Sequence, residues 1–582
     1  MATPTRTSVS NVLVIGAGGA GLRAAIAAAQ AGVQVTVIGK RTRKDAHTVL
    51  AAGGINAVLG TVDPEDSWQQ HFADTMKEGY FLSDPRTVEL MAREAPGAIL
   101  ELEDWNCKFA RTPDGRLDQR FFGAHKYRRT CYAGDYTGRA IIEALDAKIE
   151  SLDIPVIEHQ YVSRLLMAEG TCFGAFAFDI NSGERTAYCA DAVVLATGGH
   201  TRIWRKSSSR RDENNGDGMF LALHAGCRLA DMELVQFHPT GMVTPEDMAG
   251  TLVTEAVRGE GGRLYNSEGH RFMGRYDEER MELSTRDRVA LANYTEIAEG
   301  RGGPNGGVFL DISHIGKDAI LEKLPRMYRQ FLEYQMLDIS SHPMEVAPTA
   351  HYSMGGVVVD PDTHATDVDG LFAAGEVTTG LHGANRLGGN SLAEILVFGK
   401  RAGETATALS KTRDVVLRSR KAIAHASDEL DSFISHGSEF ARPLQRSLRN
   451  LMWEHCGVVR DGGGLETGLK KISELSAVLG DVDVRPTSEG YGDLAHVLDL
   501  RASLLSGETS LLGALARTET RGAHNRSDYP EVADDPRVNY VMRLDSDGAV
   551  NVSELGVQAM PDELVRYVEG TEALGAEGRL LE

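Results

Sequence analysis

Six small residues form the first pattern in the chain with a chemical meaning, Gly16-Ala17-Gly18-Gly19-Ala20-Gly21. They match Gly-x-Gly-x-x-Gly, a turn whose glycines let the backbone approach a pyrophosphate at the N-terminus of the following helix. The pattern by itself is weak evidence. It predicts a dinucleotide site only where a strand precedes the turn and a helix follows it.

Both elements are predicted from the flanking residues. Val12–Ile15 has the pattern of a strand, an alanine-rich helix follows to about Gln30, and Val33–Ile38 has the pattern of a second strand. This βαβ unit supports dinucleotide binding. The acidic residue that usually holds an adenosine ribose is missing, since the second strand ends in Gly39-Lys40. A generic NAD-dependent enzyme is therefore disfavoured.

Two further apolar strands end in glycine turns. They are Asp191–Gly199 and Asp369–Glu376, and after each strand the backbone must come close to another group. Either could be a plain turn by itself. The three together predict one sheet that is reassembled around an inserted domain.

The segments outside this sheet differ in pattern. Residues 233–346 mix strand and loop character. Between about residues 404 and 515, apolar residues such as Leu444 and Leu448 recur at helical spacing, which predicts a helical bundle. Beyond Thr520 we expect a small acidic region with short strands.

Composition excludes several classes of protein. The formal net charge of -22 argues against a nucleic-acid partner, because phosphates are bound by clustered Lys and Arg. The six cysteines form no Cys-x-x-Cys pair, so neither a metal site nor an iron–sulfur cluster is predicted. Met1–Ser10 lacks the apolar core of a secretory signal, and no run approaches the roughly 18 to 20 apolar residues of a membrane span. We expect a soluble chain that contacts a membrane only through a partner.

Further motifs resemble those of one flavoprotein family. Ala46-His47-Thr48-Val49 and Ala52-Gly53-Gly54-Ile55 look like a loop of the succinate dehydrogenase and fumarate reductase flavoprotein subunits, which are related to L-aspartate oxidase. The resemblance runs through nearly the whole chain, in Asn215–Gly218, Gln236–Thr240, Thr254-Glu255, Arg258–Gly262, Ser284–Asp287, His351–Gly356, His382–Leu392 and Arg521–Arg526. Several of these motifs are specific to the family.

The resemblance implies FAD as the cofactor. The family histidine of the first loop carries FAD covalently, so this role passes to His47, although Ala46 stands where the family often has serine. The carboxylate of Glu376 would accept hydrogen bonds from ribityl or ribose hydroxyls. The implied cofactor-binding residues are Gly16, Ala17, Gly18, Gly19, Ala20, Gly21, Lys40, His47, Thr48, Gly53, Gly54, Thr197, Gly198, Asp217, Glu376, Ser391 and Leu392.

The resemblance also implies an enzyme that interconverts succinate and fumarate. Succinate is a dianion with no good leaving group, so its oxidation requires hydride departure to the flavin and removal of a proton from the neighbouring carbon. Imidazole, hydroxyl and bidentate guanidinium groups would hold the two carboxylates. The family places these groups at His238, Thr254, His351 and Arg386.

Proton transfer falls by resemblance to Arg286. A guanidinium ordinarily has a pKa above about 12, whereas general acid–base catalysis works best near the operating pH. The resemblance therefore implies a relay in which Arg286 is neutral only transiently and exchanges its proton through Glu255 and Arg258. Alternatively, Arg286 only adds positive charge to the pocket.

Electrons must leave the flavin through another protein, since the sequence shows no cluster, haem motif or membrane span. The resemblance implies an iron–sulfur subunit and one or more membrane-anchor subunits, as in respiratory complex II of the tricarboxylic acid cycle. It places the chain at the cytoplasmic side of the cell membrane, held peripherally by these partners. The direction of the reaction stays open, because the same site catalyses both senses.

Two other functions compete with this one. L-aspartate oxidase shares the fold and most motifs, but it binds an ammonium group and places a glutamate where this chain has Phe122. It also lacks the anchoring histidine. A flavin-bound subunit without catalysis is the second alternative, but such a scaffold has no reason to keep the cationic cluster of Arg286, Arg386, His238 and His351.

The expected fold class is α/β: a Rossmann-like FAD-binding domain with an inserted α+β capping domain, a helical domain and a small C-terminal region. The expected boundaries are 1–232 and 347–410 for the two parts of the FAD-binding domain, 233–346 for the capping domain, 411–520 for the helical domain and 521–582 for the C-terminal region.

Overall fold

The computed structural model describes residues 5–486, 490–533 and 537–568. The first four residues of the polar Met1–Ser10 segment, three residues of the expected helical domain and seventeen of the expected C-terminal region lie outside the described residues.

The chain forms strands and helices in alternation along its first half and mostly helices later. The strands are β1 (Thr5–Ile15), β2 (Val35–Ile38), β3 (Ile55–Asn56), β4 (Gln119–Arg120), β5 (Thr130–Cys131), β6 (Val156–Ile157), β7 (Gln160–Ala168), β8 (Thr171–Asp179), β9 (Arg185–Leu195), β10 (Leu229–Ala230), β11 (Val235–Met242), β12 (Arg263–Tyr265), β13 (Val308–Asp311), β14 (Met344–Ser353), β15 (Gly356–Val357), β16 (Leu371–Ala373), β17 (Val459–Arg460), β18 (Asn525–Arg526), β19 (Val538–Leu544) and β20 (Val550–Gly556). The α-helices are α1 (Gly19–Gln30), α2 (Trp68–Glu78), α3 (Pro85–Asp104), α4 (Thr137–Ser151), α5 (Asp217–Ala225), α6 (Ala256–Gly259), α7 (Arg286–Glu296), α8 (Lys317–Lys323), α9 (Pro325–Gln335), α10 (Asn390–Thr412), α11 (Arg420–Ser432), α12 (Ala441–His455), α13 (Gly462–Ala477) and α14 (Gly492–Ala516).

A seven-stranded sheet contains all three of the strand ends that the glycine turns marked. Its order is β6-β2-β1-β9-β8-β7, and β16 pairs with the end of β9. Strands β1, β2, β9 and β16 run parallel, with α1 crossing over from β1 to β2. The prediction of one sheet reassembled from distant segments is therefore confirmed. The second strand begins at Val35, two residues later than the sequence pattern indicated.

Close packing of α1 against α10 covers this sheet. Helix α1 is buried from Gly19 to Ala28 and consists mostly of alanine and glycine, so a neighbouring helix can approach its backbone. Two glycines of α10 make this approach possible. A Cβ on Gly399 would lie 2.6 Å from the carbonyl oxygen of Ala20, and one on Gly403 would overlap the backbone of Ala24.

A second, antiparallel sheet, β11-β14-β13-β12, comes from the inserted segment. The expectation of mixed strand and loop there was incomplete, because the segment also contains α6 to α9. Helix α7 shows why the apolar spacing of the sequence did not predict these helices. Its buried face carries polar side chains such as Arg286, Asn293 and Glu296 beside its few apolar ones, so the hydrophobic periodicity is weak.

Helices α11 to α14 follow, as the apolar spacing predicted. The guanidinium of Arg517, just after α14, ties this part of the chain to the segment after β10. Its Nη2 lies 2.9 Å from Oδ1 of Asp231 and its Nε lies 2.8 Å from Oε1 of Glu233. The C-terminal hairpin β19–β20 completes a small sheet against β10, in agreement with the short strands expected beyond Thr520.

Within the described ranges, no helix has both the length and the apolar character that crossing a bilayer requires.

We expect Gly403→Ala to destabilise the protein, because its new methyl group would have to displace the backbone of α1. Overpacking of this kind typically costs about 1–3 kcal/mol. Gly97→Ala is the matched control: it lies in α3 with no atom within 4 Å of the added Cβ, so it should gain about 0.5–1 kcal/mol from helix propensity. The midpoint of thermal unfolding should fall for the first variant and not for the second. Equal midpoints would contradict the packing described.

Candidate functional site

A large cavity lies between the glycine turn after β1 and the inserted sheet. Its empty volume, including the part open to solvent at its mouth, is about 1780 Å³. It is lined by the start of α1, the loop 46–54, the turns after β9 and β16, and side chains from β11, β14, α7 and the start of α10. All the site residues proposed from the sequence line it, except Gly21 and Arg258.

The glycine turn forms one end of the cavity. Gly16 has a φ of +116°, and a Cβ there would overlap the carbonyl of Ala196, so this position requires glycine. Gly21 acts in packing instead of lining the cavity, because a Cβ on it would overlap the carbonyl of Gly16. Helix α1 begins after Gly18 without a cap from that residue, and its first N–H, on Gly19, donates to Oγ1 of Thr48 at 3.2 Å. The other N–H groups of the first turn are left for an anion. This end of the cavity fits the pyrophosphate of a dinucleotide.

Two further polar groups lie along the cavity: within the described part of the chain, the hydroxyl of Thr197 has no partner and the ammonium of Lys40 has two. Oγ1 of Thr197 is buried without a hydrogen bond. The ammonium of Lys40 lies 3.2 Å from Asp217 and 2.9 Å from Asp499, a residue of α14 that the sequence analysis did not single out. Burial raises the pKa of Asp499 to about 6, although Lys40 opposes this. Two carboxylates thus share one cation beside the expected cofactor position.

His47 has a carboxylate partner that the motifs did not reveal. Its Nδ1 lies 2.9 Å from Oε1 of Glu213, whose side chain is 6% exposed. Burial alone would lower the pKa of His47, but Glu213 more than offsets this, so the pKa is raised. Burial would likewise raise the pKa of Glu213, but His47 and Arg210 lower it to about 2. The pair is a hydrogen-bonded imidazole–carboxylate contact at the cavity wall.

Two imidazoles meet on the wall formed by the inserted sheet. The rings of His238 on β11 and His351 on β14 are 5.2 Å apart, centre to centre. Nδ1 of His351 lies 2.8 Å from Oγ of Ser208, and Nδ1 of His238 lies 3.2 Å from the backbone nitrogen of Thr240. Each ring therefore keeps its Nε2 for a ligand. Burial lowers the pKa of both rings well below 6.5, and nearby cationic groups add to the effect.

Arg386 is a buried cation without a counter-ion. Its guanidinium lies over the ring of Tyr352 at 4.5 Å and donates to Oγ of Ser391 at 3.1 Å. Its Nε has no partner, and no carboxylate of the described residues pairs with it. Burial, together with the charge of Arg286, lowers the pKa of Arg386 to about 9. A buried, unpaired charge of this kind is costly and favours an anionic ligand.

Arg286, at the start of α7, is held by two fixed acceptors. Its Nη2 lies 2.6 Å from Oε2 of Glu255, and its Nη1 donates to Oε1 of Gln236 at 3.0 Å. The amide nitrogen of Gln236 in turn donates to the backbone oxygen of Arg386 at 2.8 Å. Gln236 therefore fixes the spacing of the two arginines, a role that the sequence motif 236–240 does not predict.

The third member of the expected relay lies behind the cavity. Arg258 is buried and donates to the backbone oxygen of Glu282 at 2.5 Å. Its Nη2 lies 3.9 Å from Oε2 of Glu255, which is longer than a hydrogen bond. Burial would raise the pKa of Glu255, but Arg286 and Arg258 lower it to about 2. Arg286 and Glu255 therefore form a hydrogen-bonded ion pair, whereas Arg258 and Glu255 interact only through their charges.

Thr254 and Glu376, two further residues expected at the site, also line the cavity, together with Phe122. Thr254 is 2% exposed, and its Oγ1 accepts from the backbone nitrogen of Ala256 at 3.3 Å. Glu376 accepts from the backbone nitrogen of Ser353 at 3.0 Å, and burial raises its pKa. Phe122 presents an apolar ring to the cavity wall and is 5% exposed.

Two models of protein families match the chain. One, described as an FAD binding domain, matches residues 11–392. The other, described as the C-terminal part of fumarate reductase flavoprotein, matches residues 445–562.

Several known proteins are similar over almost their whole length. A fumarate reductase (CoM/CoB) subunit of Methanothermobacter marburgensis is 46% identical, and the match covers 90% of this chain and 94% of that protein. The succinate dehydrogenase flavoprotein subunit of Rickettsia conorii is 36% identical, with 93% and 94% covered. Among solved structures, Mycobacterium smegmatis Sdh1 in complex with UQ1 has a TM-score of 0.88 at 40% identity and covers 96% of both chains. A chain of Escherichia coli quinol fumarate reductase has a TM-score of 0.91 at 35% identity, with 96% and 98% covered.

We expect a pH titration of the FAD-free protein to separate three of its histidines. His47 should keep its proton above pH 6.5, because Glu213 raises its pKa, whereas His238 and His351 should stay neutral well below pH 6.5. NMR of protein labelled at the histidine rings would measure this, with His47→Gln, His238→Gln and His351→Gln assigning the signals.

The same shifts give the sign of the effect on stability. The folded pKa values of His238 and His351 are lowered, so the unfolded state binds more protons as pH falls below about 6.5, and the contribution of these residues to stability declines there. The contribution of His47 is complete at low pH and is lost as pH rises through its raised pKa. Titration of all three rings together near 6.5 would contradict the electrostatics described.

Proposed function

The chain belongs to the succinate dehydrogenase and fumarate reductase flavoprotein family, and on this basis we propose that it is the FAD-carrying catalytic subunit that interconverts succinate and fumarate. The observation that carries the proposal is the group of two arginines and two neutral imidazoles that line the cavity. Arg386 has no counter-ion, and Arg286, His238 and His351 line the same cavity. A dicarboxylate dianion would supply the missing negative charge.

The chain's residues would hold the two carboxylates in different ways. Arg386 offers a guanidinium that is supported by Tyr352 and Ser391, so its donor groups have a fixed direction. His238 and His351 are neutral. Each ring is held at Nδ1 by a neighbouring group and offers its Nε2 to the ligand. Thr254 adds a hydroxyl. This mixture of one charge and several neutral donors binds a dianion without burying an excess of cations.

Proton transfer is assigned to Arg286. Its guanidinium would give a proton to the substrate carbon in fumarate reduction and take one in succinate oxidation. Glu255 contacts both Nε and Nη2 of Arg286, at 2.8 and 2.6 Å, so it can stabilise the cation and exchange a proton with it. Arg258 would act on this pair through its charge. Bound FAD supplies the hydride acceptor or donor for the neighbouring carbon.

The FAD-binding residues are proposed as the sequence indicated, with two qualifications. Gly21 supports the turn by packing, and Asp499 joins Lys40 and Asp217. His47 is proposed as the site of covalent attachment. The domain boundaries are likewise proposed: the inserted segment 233–346 would act as the cap, since it contributes His238, Thr254 and Arg286 to a cavity that otherwise binds the cofactor.

Phe122 favours succinate over L-aspartate, the alternative substrate, as the ligand of the cavity. L-aspartate carries an ammonium group that needs an anionic or polar partner. Phe122 lies in the cavity wall, where the cation of Arg120 packs over its ring at 5.4 Å, so this part of the wall is unsuited to a second cation. Succinate, which has no ammonium group, fits better than aspartate.

We further propose that the electrons pass to an iron–sulfur subunit and then to one or more membrane-anchor subunits. Chains from an Sdh1 structure solved with UQ1 and from a quinol fumarate reductase resemble this chain along almost its full length. The chain would be held at the cytoplasmic side of the membrane by these partners.

The experiment that tests the function is dye reduction by the purified chain after reconstitution with FAD. Succinate should reduce the dye, and fumarate should reoxidise a reduced dye. L-aspartate should neither reduce the dye nor produce peroxide. Aspartate-dependent peroxide without succinate activity would replace the proposal with L-aspartate oxidase, and inactivity with both substrates would favour a non-catalytic flavin subunit.

For the catalytic arginine, we expect Arg286→Ala to retain bound FAD and to lose succinate oxidation by about 10²-fold or more, the range usual for loss of a proton-transfer group. Arg286→Lys would keep the charge but not the contacts to Glu255 and Gln236, and it should also be impaired. Arg288→Ala, which removes a half-exposed arginine from the same helix, is the matched control and should remain active. Wild-type turnover in Arg286→Ala would remove this residue from the mechanism.

For the cofactor linkage, we expect the intact mass of the denatured chain to include one FAD. Peptide mapping should place the added mass on His47. His47→Ala should bind FAD only non-covalently, so its denatured chain should have the unmodified mass. An unmodified wild-type chain that still oxidises succinate would disprove the linkage and leave the activity in place.

A further inference from the structure

Glu213 is an acid of the cavity wall that the proposed mechanism does not use. Its Oε1 lies 2.9 Å from Nδ1 of His47 and accepts the backbone N–H of Arg210 at 2.6 Å. Its Oε2 lies 3.3 Å from Nη2 of Arg210 and 4.0 Å from Nε of Arg41. A nearly buried carboxylate is thus fixed from one side and directed at one ring nitrogen of His47 from the other.

The loop that carries His47 is clamped to the same segment. The guanidinium of Arg210 pairs with the carboxylate of Asp45, and its Nη2 donates to the backbone oxygen of Asp45 at 2.5 Å. The loop before His47 therefore cannot shift without breaking contacts to the segment that holds Glu213. The position of the imidazole is determined by both connections.

The orientation of the ring leaves one nitrogen for the cavity. Nδ1 faces Glu213, and no partner for Nε2 is present among the described residues. The side chain of His47 is 26% exposed and lines the cavity. A ring held at Nδ1 therefore presents Nε2 to whatever occupies the cofactor position.

We propose that Glu213 is a positioning residue for covalent attachment of the flavin, holding His47 by Nδ1 so that Nε2 forms the bond. The proposal rests on the proposed function, in which His47 is the attachment site. Nothing in the motifs of the sequence marks Glu213, which lies just before the motif 215–218 and outside it.

In the attachment step the imidazole of His47 adds to the flavin, and all atoms of both groups are retained. His47 reacts in its neutral form, with hydrogen on Nδ1 and a free electron pair on Nε2. A bond forms between Nε2 and a methyl carbon on the flavin ring, and one C–H bond of that methyl group breaks. The methyl proton ends on the flavin, which becomes a two-electron-reduced anion, while the alkylated imidazole ring becomes a cation. A two-electron acceptor, either dioxygen or an alkene dicarboxylate such as fumarate, then restores the oxidised flavin.

Glu213 has a physical reason to accelerate this step. As Nε2 forms the new bond, positive charge develops on the ring while Nδ1 keeps its hydrogen. A fixed, ionised carboxylate 2.9 Å from Nδ1 stabilises that charge, and its low exposure strengthens the interaction. Fixing the ring also removes rotations that would point Nε2 away from the cavity.

A purely structural role predicts different results. If Glu213 only joined the loop 41–47 to the segment 208–214, its loss would lower thermal stability and flavin binding together. If it positions His47, its loss slows bond formation while non-covalent flavin remains bound. The rate of bond formation, the content of non-covalent flavin and the unfolding midpoint must therefore be measured side by side.

The experiment reconstitutes FAD-free full-length chain with FAD and follows the covalent adduct over time by intact mass and by flavin fluorescence in denaturing gels. Glu213→Gln, which keeps the shape but not the charge, should form the adduct at least about tenfold more slowly, the size usual when the partner that orients a histidine ring is lost. Glu213→Asp, which keeps the charge, should recover part of the rate. Asp212→Asn removes the neighbouring carboxylate, which makes no contact with His47, and should react like the wild type.

Each outcome bears on the proposal. Adduct formation in Glu213→Gln at the wild-type rate would overturn it and would leave the proposed function intact. Loss of all flavin, with a lower unfolding midpoint, in both Glu213 variants would also overturn it in favour of a structural role. A wild-type chain that never forms the adduct would overturn both this role and the linkage at His47. Succinate-dependent flavin reduction in the same wild-type sample tests the activity separately.

Discussion

The burial of cationic groups around one cavity is the constraint on which the rest of the structure depends. Taking an ammonium or guanidinium out of water costs several kcal/mol unless a negative group compensates for it. The chain compensates two of these groups with its own acids: Lys40 has Asp217 and Asp499, and Arg286 has Glu255. Glu213 likewise accompanies the imidazole of His47. Arg386 alone in this set is left for the ligand, so the site is complete only when an anion is bound.

This arrangement also shows how an acidic protein could hold the dianion that is proposed as its substrate. The net charge of -22 repels anions at a distance, so attraction must be local. Arg386 lines the same cavity as two neutral imidazoles, whose protonation is disfavoured by burial and by the arginines themselves. The cavity therefore offers one uncompensated charge and several neutral donors. This combination suits the proposed dicarboxylate without adding cations that would repel one another.

The supporting contacts come from segments that are far apart in the chain. Gln236 joins Arg286 to the backbone of Arg386, and Asp499 reaches Lys40 from a helix near the end of the chain. The ends of the cavity that are proposed for the cofactor and the substrate are consequently held by the same packed unit. A shift of the inserted sheet or of α14 would change the charge balance at the cavity as well as its shape.

The sequence by itself determined the local elements and the motif residues. The glycine turn, the βαβ unit and the three marked strand ends follow from steric and periodic rules that act over a few residues, and nearly all the family positions proved to line one cavity. Only the tertiary structure decided which charges pair, because Glu213 and Asp499 lie 166 and 459 residues from their partners and no local pattern links them. It also decided that Arg258 lies 3.9 Å behind Glu255, because that distance depends on how α6 packs in three dimensions.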